Sequence, residues 1–382
     1  MKSKKLIVGI TAEGSVNLLL GQLAYFKSLG YETYLLAPYS ERSANFCKKE
    51  GCTHLIINIE REISLWKDLK TLLKIIRIFK EVKPDIINLG TPKVALLGMI
   101  AGKILGIKNR IYTCRGFRFE HENGVKRKIL IAMEKITSLC AHQVICISDS
   151  VQKLGIAADI FSKKKSNVIN KGSSNGVNLE LFDPLNQTYI DKKQEIVDKY
   201  DLKDKFVYGF LGRIVDRKGI NELYNVFCKI YEENSNTRLL LVGPFETDQI
   251  ADKTLLEKIN NHPAIFNIGR VLQDEVPPYI LALDVFVLPA WWEGFGNVLV
   301  QAAAMGIPVI STTGTGTIDA VSDNFNGILV NPKAEMELEF AMKHLLLNKE
   351  ITIQYGENGL EWSRNFERTI IWNGINQLYT KR

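Results

Sequence analysis

The chain has 382 residues, 46% of them hydrophobic and 24% charged, and carries a formal net charge of +7. This is the composition of a soluble globular protein long enough for two domains, and it excludes a largely disordered or fibrous chain. The excess of cations calls for an anionic partner, yet Lys and Arg are scattered and form no nucleic-acid-binding arm, so a phosphate-bearing substrate or an anionic membrane is expected and nucleic acid is not.

Lys2, Lys4 and Lys5 precede the short apolar run Leu6–Ile10, which is too brief for a secretory leader and reads as a first strand. From there β-type runs alternate with helical patterns: Leu18–Leu29, Thr33–Ala37, Ser43–Glu50, Leu55–Ile59, Ile63–Lys83, Asp85–Leu89, Val94–Leu105, Arg110–Tyr112, Val125–Cys140 and Gln143–Ile147. Such βα alternation predicts an α/β layer with a parallel sheet, a Rossmann-like N-terminal domain over residues 1–180. The longest apolar stretch, Val94 to Ile107, is interrupted by Lys103 and falls short of the ~20 residues needed to span a bilayer, so a cytoplasmic protein is expected. The turn-rich segment Lys171–Gly176, closed by Asp183-Pro184, reads as a hinge. Alternation resumes with Phe206–Gly212, Ile220–Glu232, Thr237–Val242, Thr247–Asn260, Ile265–Ile268, a strand at Asp284–Pro289, a helix at Asn297 and a strand at Pro308–Thr312. This predicts a second Rossmann-like domain over 181–365, with a helical tail, 366–382, crossing back to the first. Two such layers put the chemistry in a central cleft facing the carboxyl ends of both sheets.

The six cysteines form no C-x-x-C pair and have no histidines at zinc spacing, which argues against a metal site or a disulfide framework. No G-x-G-x-x-G follows a strand, which disfavours a nicotinamide dehydrogenase, and no D-x-D is present to hold a metal-bound diphosphate.

Two segments carry chemistry. In Phe210-Leu211-Gly212-Arg213-Ile214-Val215-Asp216-Arg217-Lys218-Gly219 a strand ends in glycine and delivers Arg213 and Lys218 to the loop before a helix. A guanidinium that bonds two phosphate oxygens and an ammonium point charge together suit a leaving diphosphate, although the same residues would serve as a solvated turn. In Trp291 to Thr312, WWEGFGNVLVQAAAMGIPVIST, a buried strand leads to Glu293 on a loop. Gly294 and Gly296 allow a sharp turn and close ligand approach, Asn297 is placed to cap the next helix, and free helix N–H groups suit phosphate. Glu293 and Gln301 are eight positions apart, so both can face one ligand, and the segment reads as a nucleotide-sugar site.

On these residues the chain resembles the family 4 glycosyltransferases with the two-domain GT-B fold. The resemblance rests on G-R-x(4)-K-G, on E-G-F-G-N-V followed by A-x-G-x-P-V-I, on the hinge GSSNGVNLELF, and on Lys83-Pro84-Asp85-Ile86-Ile87 with Thr91-Pro92-Lys93. It implies that Glu293 binds hydroxyls of the transferred sugar and that Phe295, Gly296, Asn297 and Val298 line the donor site. It places Gly14 beneath the donor diphosphate and the backbone around Arg270 and Val271 beside the base. It further implies retention of anomeric configuration, a donor phosphate that assists deprotonation of the incoming hydroxyl, and no metal or other cofactor. Two positions depart from the family's pattern. Gln301 stands where a second glutamate holds the ribose, replacing a carboxylate by an amide with a single acceptor oxygen. Arg115 stands in Tyr112-Thr113-Cys114-Arg115-Gly116 where many members carry histidine; it cannot act as a base but can bind a diphosphate.

The helical stretch Ser64 to Lys83 places Trp66, Leu69, Leu72, Leu73, Ile76 and Phe79 at helical spacing among five basic residues, and Lys126-Arg127-Lys128 adds a second basic cluster. Each alone is an ordinary sheet-covering helix with a solvated face. Together they suit an enzyme peripheral on the inner, anionic face of a membrane. The members resembled most use UDP-hexoses or UDP-N-acetylhexosamines to build capsule, O-antigen or lipid-linked glycans, which implies a polyprenyl-diphosphate-linked saccharide as acceptor. The alternatives are a UDP-N-acetylhexosamine 2-epimerase, which wants cleft acid/base groups that the five histidines do not supply in a matching motif, and a non-catalytic nucleotide-sugar-binding subunit, suggested by Gln301 and Arg115.

Overall fold

A computed structural model describes residues 3–60 and 64–380 of the chain; Lys2, Arg382 and Ile63 at the head of the expected Ile63–Lys83 helix lie outside them. Two compact units form, one from Met1–Gly176 with Thr369–Arg382 and the other from Val177–Arg368.

The first unit is built on seven strands: β1 (Lys5–Gly9), β2 (Glu32–Ala37), β3 (Thr53–Ile56), β4 (Ile86–Gly90), β5 (Asn109–Cys114), β6 (Gln143–Cys146) and β7 (Ser166–Val168). They pair in parallel in the order β3-β2-β1-β4-β5-β6-β7. Central strands covered on both faces are largely apolar, and β1 and β4 are so apart from Lys5 at the head of β1 and Asn88 within β4. On one face Ile75 and Phe79 of the helix Leu65–Val82 and Val94 and Leu97 of the helix Pro92–Ile104 pack into the core. On the other, Leu23 and Phe26 of the helix Gln22–Ser28 meet Ile371, Ile375 and Tyr379 of the C-terminal helix Arg368–Thr380.

The second unit has six strands: β8 (Phe206–Leu211), β9 (Thr237–Val242), β10 (Ile265–Gly269), β11 (Val285–Val287), β12 (Val309–Thr312) and β13 (Gly327–Val330). They lie parallel in the order β10-β9-β8-β11-β12-β13. Each sheet therefore reverses its direction of winding beside its first strand, between β1 and β4 in one unit and between β8 and β11 in the other. Loops at the carboxyl ends of those strands are where such a sheet holds ligands.

Several boundaries differ from the pattern reading for local reasons. The expected helix Leu18–Leu29 is a 3-10 turn, Glu13–Leu19, and a separate helix, Gln22–Ser28, because Gly21 adopts φ 80° between them. The expected helix Thr247–Asn260 is reduced to Leu255–Asn261: Asp252 Oδ1 accepts from the backbone N and hydroxyl of Thr254, at 2.9 and 2.6 Å, which competes with helix formation. β11 starts after Asp284, whose Oδ2 takes the Val207 N–H at 2.7 Å. The structure also contains β7, β13 and the helices Asp149–Ala157 and Gln187–Lys199, which the alternation does not reveal.

Candidate active site

Glu293 stands on the loop after β11, beside the loop after β8 that carries Arg213, Arg217 and Lys218. Its Oε1 accepts from Lys218 Nζ at 2.5 Å and from Arg217 Nη1 at 3.1 Å, and its side chain is only 15% exposed. Burial by itself would raise the carboxyl's pKa. The charge and hydrogen bond of Lys218, with the charges of Arg217 and Arg213, outweigh it and hold the pKa below the ordinary value, so Glu293 is ionised at neutral pH. Arg213 is less buried and pairs with Glu246 at 2.9 Å. Arg217, quoted in the motif but given no role by the sequence, is thus the second cation on Glu293; its position one residue before Lys218 in a 3-10 turn, Asp216–Lys218, was the available signal.

Backbone packing fixes this geometry. The Trp291 N–H donates to the Arg217 carbonyl at 2.8 Å and the Glu293 N–H to the Thr315 carbonyl at 2.8 Å. Gly219 caps the helix Ile220–Glu233 with φ 75°, and a Cβ there would collide with the Pro289 carbonyl. Gly316, at φ 80°, lies directly against the Glu293 and Gly294 carbonyls. The Gly314-Thr315-Gly316 turn is therefore the floor under the Glu293 loop.

The helix Asn297–Ala304 begins one residue earlier than expected: Gly296 occupies the N-cap and Asn297 is the first helical residue, so Asn297 is not the cap. A Cβ at Gly296 would sit 2.6 Å from the Leu299 Cδ1 methyl at the end of that side chain. Along the helix Asn297, Val298 and Gln301 share the accessible side, while Leu299, Val300, Ala302 and Ala303 are buried. Phe295 is buried against Phe366, ring centroids 5.4 Å apart, and supports the loop from below. Arg270 is exposed and Val271 half-buried just beyond β10. At the ends of β8, β9 and β10 a cross-strand ladder continues through glycines, Gly212 N to Val242 O at 2.9 Å and Gly243 N to Gly269 O at 2.8 Å, with Gly243 packed directly on the Gly212 carbonyl.

In the first unit Gly14 is exposed in the turn after β1, and a Cβ there would meet nothing within 4 Å. Arg115 follows β5, its side chain lying across Gly90. No group of three or more His, Cys, Asp or Glu among the described residues is arranged to hold a metal ion.

A buried, ionised carboxylate ringed by three cations, beside a helix N-terminus, can grip sugar hydroxyls through the carboxylate and a diphosphate through the cations. Comparison with known proteins agrees with that chemistry. The profile described as Glycosyltransferase Family 4 matches residues 13–181, and that described as Glycosyl transferases group 1 matches residues 192–362. A capsular polysaccharide biosynthesis glycosyltransferase of Staphylococcus aureus, CapM, is 34% identical over 380 residues, 99% of this chain and 97% of that one. An Escherichia coli enzyme described as UDP-Gal:alpha-D-GlcNAc-diphosphoundecaprenol alpha-1,3-galactosyltransferase is 28% identical over 285 residues, covering 71% of this chain and 68% of its own. Among solved structures, Anabaena HepE in complex with UDP superposes with a TM-score of 0.81 at 19% identity, covering 98% of each chain, and shares the fold.

Proposed function

The chain belongs to glycosyltransferase family 4, with the GT-B fold of two Rossmann-like units, and from that premise we propose that this glycosyltransferase moves a hexose or N-acetylhexosamine from a UDP-sugar to a polyprenyl-diphosphate-linked saccharide during capsule or other surface polysaccharide synthesis. The observation that carries the proposal is the ionised Glu293 held between Lys218 and Arg217. The carboxylate accepts hydrogen bonds from the sugar's hydroxyls, while Lys218 and Arg213 turn to the diphosphate. Transfer breaks the bond between the sugar's anomeric carbon and the β-phosphate oxygen and forms one to an acceptor hydroxyl on the same face. The hydroxyl's proton passes to the departing phosphate, so no protein base is needed and configuration is retained. Negative charge growing on that phosphate meets Lys218, Arg213 and the N–H groups of the helix Asn297–Ala304, fixed donors that need no reorganisation and no metal. Val298 and Gln301, on the accessible side of that helix, are assigned to the nucleotide, Arg270 and Val271 to the base, and Gly14 to the diphosphate.

The lipid-linked acceptor requires an enzyme that reaches a membrane. No helix of the described residues is long and apolar enough to cross one. The helix Gly124–Cys140 nevertheless exposes Val125, Ile129, Ala132, Ile136 and Leu139 at helical spacing beside Lys126, Arg127 and Lys128, and the helix Leu65–Val82 exposes Trp66, Leu69 and Leu73 among Lys67, Lys70 and Lys74. Apolar stripes edged by cations support peripheral binding to an anionic surface. The deciding experiment is UDP release from UDP-sugars with and without lipid-linked acceptor: acceptor-dependent release abolished by Glu293→Ala supports the proposal, and release unaffected by that change overturns it.

A further inference from the structure

One half-buried cation of the first unit has two buried guanidinium nitrogens and no counter-charge in its pocket. The Arg115 side chain folds back over Gly90, where a Cβ would lie 2.8 Å from its Nε, and both Nε and Nη1 are buried with no hydrogen-bond acceptor among the described residues. Arg110, on the opposite side of β5, shows what such a group ordinarily does: its Nε donates to the Cys140 carbonyl at 2.6 Å and its Nη1 to the Ile107 carbonyl. Around Arg115 the polar neighbours are already engaged with one another. Asn88 donates to the Tyr379 hydroxyl at 2.7 Å and accepts from the Thr113 hydroxyl at 2.6 Å, and Gln22 donates to Asn175 at 3.0 Å. Ser174 Oγ, which lines the same pocket, is likewise buried without a partner.

No carboxylate lines this pocket, which is formed by Val8, Gln22, Asn88, Gly90, Thr113 and Ser174 among others. Burial pulls the guanidinium's pKa down to about 10, which leaves it fully charged at neutral pH. An uncompensated buried charge is costly and persists where a ligand completes it. Its lining includes Val8 of β1, Asn88 and Gly90 of β4 and Thr113 of β5, beside the reversal of winding order between β1 and β4. Its free space of ≈ 10 Å³ admits one water-sized group, such as a single oxygen of a larger anion. Next to it Thr91 holds φ 83° and ψ 136°, a conformation that a β-branched residue rarely adopts and that is typical of ligand-binding turns.

We propose that Arg115, with the Ser174 hydroxyl, is the phosphate-binding site of the first unit, taking an oxygen of a substrate diphosphate. The inference rests on the reading of the protein as a transferase to a lipid-diphosphate-linked saccharide, and it favours the acceptor's diphosphate, because Arg213 and Lys218 of the second unit already serve the donor's. From Arg115 the same connection runs on to Lys126, Arg127 and Lys128 at the start of the basic helix Gly124–Cys140, which suits a ligand arriving from a membrane.

The test is binding, which does not require turnover. Farnesyl diphosphate, farnesol and UDP are titrated separately into wild type, Arg115→Ala, Arg115→Lys and Ser174→Ala, with thermal melting of each variant. The expected result is a loss of ten-fold or more in farnesyl diphosphate affinity in Arg115→Ala, a smaller loss in Arg115→Lys and Ser174→Ala, and unchanged UDP and farnesol binding. If UDP weakens instead and farnesyl diphosphate does not, Arg115 is still a phosphate ligand but the donor's. If neither diphosphate weakens in folded variants, the proposal is overturned and Arg115 is structural. Loss of farnesyl diphosphate binding in a protein that transfers no sugar with any acceptor separates this site from the transferase reading.

Discussion

Lys218 Nζ and Glu293 Oε1 are 2.5 Å apart, and the two side chains are 11% and 15% exposed, so the principal cation and the principal anion of the second unit neutralise one another until substrate arrives. In the proposed reaction a phosphate takes over Lys218 and a sugar hydroxyl bonds Glu293, whose charge still faces Arg217.

Replacing the carboxylate tests this directly. Glu293→Gln leaves Lys218 and Arg217 facing a neutral amide and is expected to lower kcat by roughly 100-fold, the range in which single groups aimed at a transition state act. UDP affinity should stay within a few-fold of wild type, because the proposed nucleotide contacts are assigned to other residues; acceptor-dependent UDP release and UDP titration check the two halves.

At the nucleotide end, Gln301→Glu restores the acceptor pair that ribose hydroxyls use in the family's pattern. Hydrogen bonds to a charged group exceed neutral ones by about 1 kcal/mol, so UDP is expected to bind about five-fold more tightly. Calorimetric titration measures it, and unchanged affinity would remove Gln301 from the ribose site.

The floor of the Glu293 loop has no room for a methyl group. Gly316→Ala places Cβ against the Glu293 and Gly294 carbonyls at a backbone angle that L-residues avoid, so it should cost about 2 kcal/mol of stability and most of the activity. A melting curve of wild type and variant, set beside their turnover, reads both effects; full activity in the variant would show that the Gly316 contact does not position Glu293.

Much of this was legible in the sequence. The β1, β2, β8 and β9 runs are mostly apolar and bounded by turns, and G-R-x(4)-K-G with E-G-F-G-N-V names the loops whose Lys218 and Glu293 the structure brings into contact. The two missed strands were harder to see: β7, Ser-Asn-Val, is too short to show any period, and β13 lies among Asp, Asn and Gly turn residues. Arg217 was hidden because a basic triad in a turn does not reveal which member points inward. The helix cap was misplaced by one residue because Gly296, not Asn297, takes the cap position, and Asn297 is already helical.

The first unit contains a titrating core residue. Glu134 is 7% exposed and accepts from the Tyr112 hydroxyl at 2.6 Å; burial raises its pKa from 4.5 to about 7, against which that hydrogen bond works. Below pH 4.5 the proton is bound in both folded and unfolded chains. Between 4.5 and about 7 only the folded state keeps it, so the stability this group contributes is lost as pH rises through that window, by roughly 3 kcal/mol in all. Glu134→Gln should flatten this part of the stability profile and be the more stable protein at pH 8, as denaturant unfolding across pH will show.

Membrane docking predicts a salt-dependent step. Replacing Lys126, Arg127 and Lys128 by Ser should weaken binding to vesicles containing phosphatidylglycerol by one to two orders of magnitude, at about 1 kcal/mol per cation near the surface. Val125→Ser with Leu139→Ser should weaken it further without changing the salt dependence. Equal sedimentation of wild type and variants with vesicles would place the acceptor-facing surface elsewhere.

The route of the chain also orders events on the ribosome. Residues Val177–Arg368 are all synthesised before Ile371, Ile375, Leu378 and Tyr379, which complete one core of the first unit. The unit that begins the polypeptide therefore cannot complete this core until the last helix of the chain has been made. Nascent chains halted short of the final helix would be recognisable as one folded body tethered to an incomplete one, the form that chaperones and proteases select.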